Sequence, residues 1–149
     1  MDEKLKKQIE DEGNRFEFEE AGLKCLGLRH PRLLHWCGYV KVPKDSILFR
    51  KQKSYYYTES ENGISEFEQT INNINVHGGI TYVGKRENDD DIYWGFDCGH
   101  LGDDSPGLDE MIPGGHHKFD GDTYKDKEYV MEEVKSLAKQ LSEIIKKYD

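Results

Sequence analysis

The chain has 149 residues, 34% of them charged, and a formal net charge of −9. That acidity excludes a surface built for nonspecific attraction to nucleic acid, which needs clustered Lys and Arg. It does not exclude an anionic small ligand held by a local basic group. Acids alternate with basic residues along the chain, which argues against DNA mimicry. Hydrophobic residues make up 35%, and an aromatic content of 11% supplies the area for a core. One domain spanning 1–149 is expected at this length.

The three cysteines, Cys25, Cys37 and Cys98, are odd in number and widely spaced, with no CxxC pair. They read as free thiols of a reducing compartment rather than a disulfide framework. The N-terminal MDEKLKKQIEDEG lacks an apolar signal core, and no run approaches the ~18–20 apolar residues of a membrane span. A soluble, cytoplasmic protein with no membrane partner is expected.

In chain order, residues 2–12 predict a short polar helix with Leu5 and Ile9 on one face and Gly13 as its stop. Arg15 to Glu19 alternates with period two and predicts a strand. Ala21-Gly22 then predicts a turn, and Leu23 to Leu28 a second strand of a hairpin. Leu33 to Val42 predicts a further strand, ended by Pro43. Residues 44–63, with the run Tyr55-Tyr56-Tyr57, read as a long loop. Ile71 to Val76, Ile80 to Gly84 and Ile92 to Asp97 read as strands, the last two joined as a hairpin by the charged turn Lys85 to Asp91. Cys98 to Gly121 reads as irregular. Thr123 and Asp126 predict a capping-box-like helix start. Beyond them Val130, Val134, Leu137, Leu141, Ile144 and Tyr148 form one apolar stripe of a helix of ~22 residues. The expected fold is α+β: a mainly antiparallel sheet packed by a long C-terminal helix, with a short N-terminal helix.

The chemistry is expected between His77 and Asp104. Gly78 and Gly79 after a strand let a ligand approach the main chain, or serve only a bulge. Asp97, His100, Asp103 and Asp104 lie within eight residues just past a strand. With His77 they offer a divalent-metal set of His77, Asp97, His100 and Asp103, with Asp104 as base or as a support behind the ligands. They equally offer metal-free acid–base chemistry, His as acid or base and Asp as its orienter. Aspartates in such loops also cap their own backbone. Among the aromatics on these strands (Trp36, Tyr39, Tyr82, Tyr93, Trp94 and Phe96), Trp36 and Trp94 are the candidates to stack on a flat ring. Arg29, His30 and Arg32 form a compact basic group that can meet a phosphate or stay solvated. His116-His117, beside Gly114-Gly115, reads as a loop rim over the site. Cys98, with His100 nearby, is a weak candidate nucleophile.

The blocks HWCGYVKVP, VHGGITYVG and WGFDCGHLGDDSPG, followed by TYKDKEYVMEEVKSLAKQL, resemble a family of small bacteriophage- and prophage-encoded proteins. The resemblance runs from about Leu34 to the C-terminus. In that family the segment after the Val-Pro is glycine-rich and carries a histidine; here KDSILFRKQKS has neither. The resemblance implies a host-cytosolic, viral setting in which small proteins sequester or cleave nucleotide-derived immune signals, and it implies no particular activity.

Three functions follow as expectations. The first is a binding protein that sequesters a nucleotide-like small molecule without a cofactor, using Trp36, His77, Gly78, Gly79, Thr81, Trp94, Asp97, His100 and Asp103, with a pocket built in a homo-oligomer. The second is a metal-dependent phosphodiesterase on the His/Asp set. A protein–protein inhibitor of a host factor, with the Tyr55–Tyr57 loop at the contact, is the third.

Overall fold

A computed structural model describes residues 1–52, 65–114 and 120–149. The expectations on Tyr55–Tyr57 and on His116-His117 lie outside the described residues. Helix α1 (Glu3–Glu12) starts on Asp2, whose carboxylate accepts from Leu5 N at 2.8 Å, and stops at Gly13, φ 76°. Strands β1 (Arg15–Glu20) and β2 (Leu23–Arg29) form the expected hairpin. Strand β3 is Trp36–Val42. Two short helices follow, α2 (Ile47–Arg50) and α3 (Glu66–Asn72). Strands β4 (Tyr82–Gly84) and β5 (Ile92–Asp97) make the second hairpin. A one-turn helix α4 (Leu108–Met111) interrupts the irregular stretch before α5 (Lys127–Tyr148).

The five strands form one antiparallel sheet in the order β1-β2-β3-β5-β4. The α+β reading holds. Among the described residues no helix is long and apolar enough to cross a membrane.

Four local expectations are corrected. β3 begins at Trp36, not Leu33, because the chain first turns through Leu34 at φ 68°, with Leu34 N donating to His30 O at 3.0 Å. Within the expected loop 44–63, Ser46 caps the turn α2. The expected strand at Ile71 is the end of helix α3, followed by irregular chain to Val76. Asp126, not Thr123, caps α5, accepting from Tyr129 N at 2.8 Å; Thr123 instead bridges to Asp103.

Alternation along the strands gives the sheet two different faces. On the first, Trp36, Val40 and Val42 of β3 and Trp94 and Phe96 of β5 pack with Val130, Val134, Leu137, Leu141 and Ile144 of α5. Each large side chain buried there contributes about 1.5–3 kcal/mol of transfer free energy. The second face carries a smaller buried cluster of Leu26, Cys37, Tyr39 and Tyr93, with Leu28 and Tyr82 at its margin.

An ionic knot ties α1 to the sheet and to α5. Arg29, its side chain 1% exposed, lies 4.4 Å over the Trp36 ring and donates to Gly13 O, Leu34 O and the Tyr124 hydroxyl. Glu12 Oε1 accepts from Arg29 at 3.2 Å and from Trp36 Nε1 at 3.2 Å. Burial works against the Glu12 carboxylate, but hydrogen bonds from Tyr124, the Lys127 N–H, Trp36 and Arg29 hold it below the ordinary range. Arg29 is thus a structural cation and not the exposed phosphate contact that its sequence neighbourhood suggests.

Candidate functional site

The turn after α3 and the loop after β5 meet. His77 Nε2 lies 2.9 and 2.8 Å from the two oxygens of Asp103, and His77 Nδ1 lies 2.8 Å from the Tyr129 hydroxyl on α5. In the neutral ring the proton sits on Nε2 toward the carboxylate, and Nδ1 accepts from Tyr129. The His77 amide donates to Glu133 Oε1 at 2.9 Å, which fastens the turn to α5.

Asp103 is the centre of this junction. Its side chain is 1% exposed, and it also takes the His100 amide at 3.0 Å and the Lys125 ammonium at 3.0 Å. Burial disfavours its charge, yet the bonds from His77, the His100 N–H and Lys125 outweigh this and keep its pKa below the usual value. Burial and the carboxylates of Glu133 and Asp103 push the Tyr129 phenol up, so it remains a neutral donor.

Gly78 requires both its freedoms. It sits at φ 70°, and a β-carbon there would meet the His100 ring at 2.5 Å. The close approach of backbone to imidazole needs a residue without a side chain. Gly79, at φ 77°, closes the turn by donating to Val76 O at 2.8 Å.

Asp97 belongs to a separate pair. Its carboxylate accepts from Thr81 Oγ1 at 3.1 Å and from Gly99 N at 2.9 Å, and it lies 3.1 Å from His100 Nε2 without hydrogen-bond alignment. The expected quartet is therefore two His–Asp pairs, His77 with Asp103 and His100 with Asp97. Among the described residues no group of three or more His, Cys, Asp or Glu side chains is arranged to hold a metal ion. Asp103 is consumed by a histidine, a lysine and an amide, and Asp104 is buried with its amide on Thr123 O. The four-ligand metal reading is corrected on that donor geometry.

Trp36 and Trp94 are also corrected. Both are 0% exposed in the core against α5, so neither ring offers a face to a ligand. Cys98 is buried and its thiol is pushed well above the ordinary range by burial, which removes it as a nucleophile.

The second face carries aromatics as well, Tyr39 buried and Tyr82 half-buried. Gly95 lies between Tyr39 and Tyr82 in register, and a side chain on it would collide with the Tyr39 ring. The gap lets the two tyrosines meet edge to face, centroids 5.6 Å apart. The Arg86 guanidinium stands 5.0 Å from the Tyr39 ring centre and 5.4 Å from that of Tyr82.

Sequence reasoning missed Lys125, Tyr129 and Arg86. Lys125 and Tyr129 straddle the start of α5 at a four-residue step, a spacing that puts side chains on one helix side. Nothing in the sequence ties that side to His77. Tyr39 was within reach, because period-two alternation sends Trp36 and Tyr39 to opposite faces. Compared with family models, curated proteins and solved structures, the chain matches none.

Proposed function

We propose that the chain binds and sequesters a nucleotide-derived small molecule where the His77-Gly78-Gly79 turn meets the Asp97–Asp104 loop. In the phage-type setting its role is to withhold a host immune signal. The observation that carries this reading is the convergence itself. Two segments are locked by the 2.8 Å contact between His77 and Asp103, 26 residues apart, and by His100 over Gly78. The polar groups there are already oriented: Thr81 and Gly99 hold Asp97, and Lys125 and His100 N–H hold Asp103. A preorganised array loses little freedom on binding. The Asp97 carboxylate, part-exposed, is an acceptor for the exocyclic and ring N–H groups of a base.

Isothermal titration with cyclic nucleotides and ADP-ribose derivatives tests the reading. Saturable heat with at least one, weakened by Asp97→Ala, supports it. Dilution heats throughout the series would sink it.

One observation favours a second reading, metal-independent acid–base catalysis. Tyr129, His77 and Asp103 form a continuous hydrogen-bonded chain in which Asp103 orients the imidazole. Here nucleotide turnover is expected with the wild-type protein and lost in His77→Ala. Nucleotides recovered intact after prolonged incubation would remove it.

A further inference from the structure

The second face of the sheet holds a cavity of about 260 Å³ lined by Leu28, His30, Pro31, Cys37, Tyr39 and Arg86, with part of Arg29. Its floor carries Leu28 and Cys37, which pair in register, and Asp97 stands beside Cys37 on the neighbouring strand, outside the lining. The next row carries Tyr39, Gly95 and Tyr82. The cavity therefore adjoins the Asp97 end of the junction described above.

Its chemistry is one-sided. Arg86 stacks over two tyrosine rings and enters no ion pair among the described residues. His30 Nδ1 accepts from Arg32 N at 3.2 Å and Leu33 N at 3.0 Å, so the neutral ring carries its proton on Nε2 as a donor. Burial lifts the Cys37 thiol to about 11, which keeps the floor uncharged. Cationic and neutral donors thus stand beside an aromatic surface and one carboxylate. Two larger hollows between α1 and the start of α5, about 430 and 450 Å³, are lined by helix-surface side chains without an aromatic ring.

We propose that this cavity is the ring-and-anion subsite for a single nucleotide, with the base against the cavity-lining margin of Tyr39, the phosphate on Arg86 and His30, and base N–H groups toward the adjoining Asp97. The assignment rests on the nucleotide-binding reading and narrows it. The volume is slightly under the ~300 Å³ at which small-molecule sites usually begin. It accommodates one ring and one anionic group, not two linked nucleotides. A planar guanidinium held on aromatic faces pairs with phosphate in two-pronged fashion and loses little freedom in doing so.

The experiment is isothermal titration of the full chain with AMP, GMP, CMP, UMP and inorganic phosphate, each at low and high salt. At least one monophosphate is expected to bind about tenfold tighter than phosphate alone, since stacking adds to the charge contact. Arg86→Ala, an exposed substitution, is expected to weaken it about tenfold with the far-UV spectrum unchanged. Tyr82→Leu is expected to weaken it less. Monophosphate binding that Arg86→Ala leaves untouched while Asp97→Ala abolishes it overturns the subsite and spares the broader reading. So does binding of cyclic nucleotides without any monophosphate. The absence of binding by every nucleotide tested overturns both.

Discussion

Ala21 occupies φ 55° and Gly22 φ 79° in the two-residue turn between β1 and β2. A turn with both central residues at positive φ matches the twist of the strands, and Asn-Gly fills it best. Alanine pays for its β-carbon in this region by roughly 1–2 kcal/mol, whereas asparagine tolerates it. Ala21→Asn is therefore expected to raise stability by about 0.5–1 kcal/mol, read as a higher urea midpoint at unchanged slope. An equal or lower midpoint would show that the turn carries no such strain. Gly78 is the opposite case. Gly78→Ala adds both a positive-φ cost and a collision with His100. A loss of about 2 kcal/mol is expected, with the His100 ring resonances displaced more than those of His35. Unmoved His100 resonances would contradict the close approach.

At the level of elements, the Glu12–Arg29 knot joins α1, β2, β3 and the start of α5. Glu12 accepts from Arg29, Trp36 and Tyr124, and its second oxygen takes Lys127 N at 3.1 Å. Removing one partner leaves a buried cation under-compensated, which costs about 3–5 kcal/mol. Glu12→Ala should lose that much in a denaturant titration, while Glu17→Ala on the exposed hairpin, where solvent screens the charge, should leave the midpoint almost unchanged. Similar losses for the two would dissolve the idea of a knot. This element is invisible in the sequence because the partners of Glu12 lie 17 to 115 residues from it. The strands and α5 were legible because each buries one periodic face. Helix α3 was misread because Ile71-Asn72-Asn73-Ile74-Asn75-Val76 mimics a strand. The corrective signal was present in Ser65-x-x-Glu68, a capping box whose Ser65 hydroxyl does accept from Glu68 N at 3.1 Å. For the candidate site, the 77–79 turn and the 97–104 loop, both singled out in the sequence, meet through His77 and Asp103. The partition of its four side chains into two pairs was not legible, since it depends on Lys125 and Tyr129 arriving from α5.

For the whole molecule, pH is the variable that acts on all three junctions at once. His35 is buried, with Nδ1 3.0 Å from Ser105 Oγ, and burial lowers its pKa. The folded ring resists a proton that the unfolded chain accepts below about pH 6.5. Between those two pKa values the unfolded state binds more protons, so stability falls as pH falls. Glu12 and Asp103 are lowered as well, through their hydrogen bonds and despite burial. Their contribution is intact above the ordinary carboxylate range near pH 4 and is lost as pH drops through the folded values. Acid should thus destabilise the protein in two steps, the first below about pH 6.5 and the second below about pH 4. Urea midpoints at intervals between neutral pH and pH 3 would resolve them. Subtracting the His35→Gln profile from the wild type isolates the first step, and Glu12→Gln with Asp103→Asn should flatten the second. If His35→Gln kept the full first step, burial of His35 would not be its source.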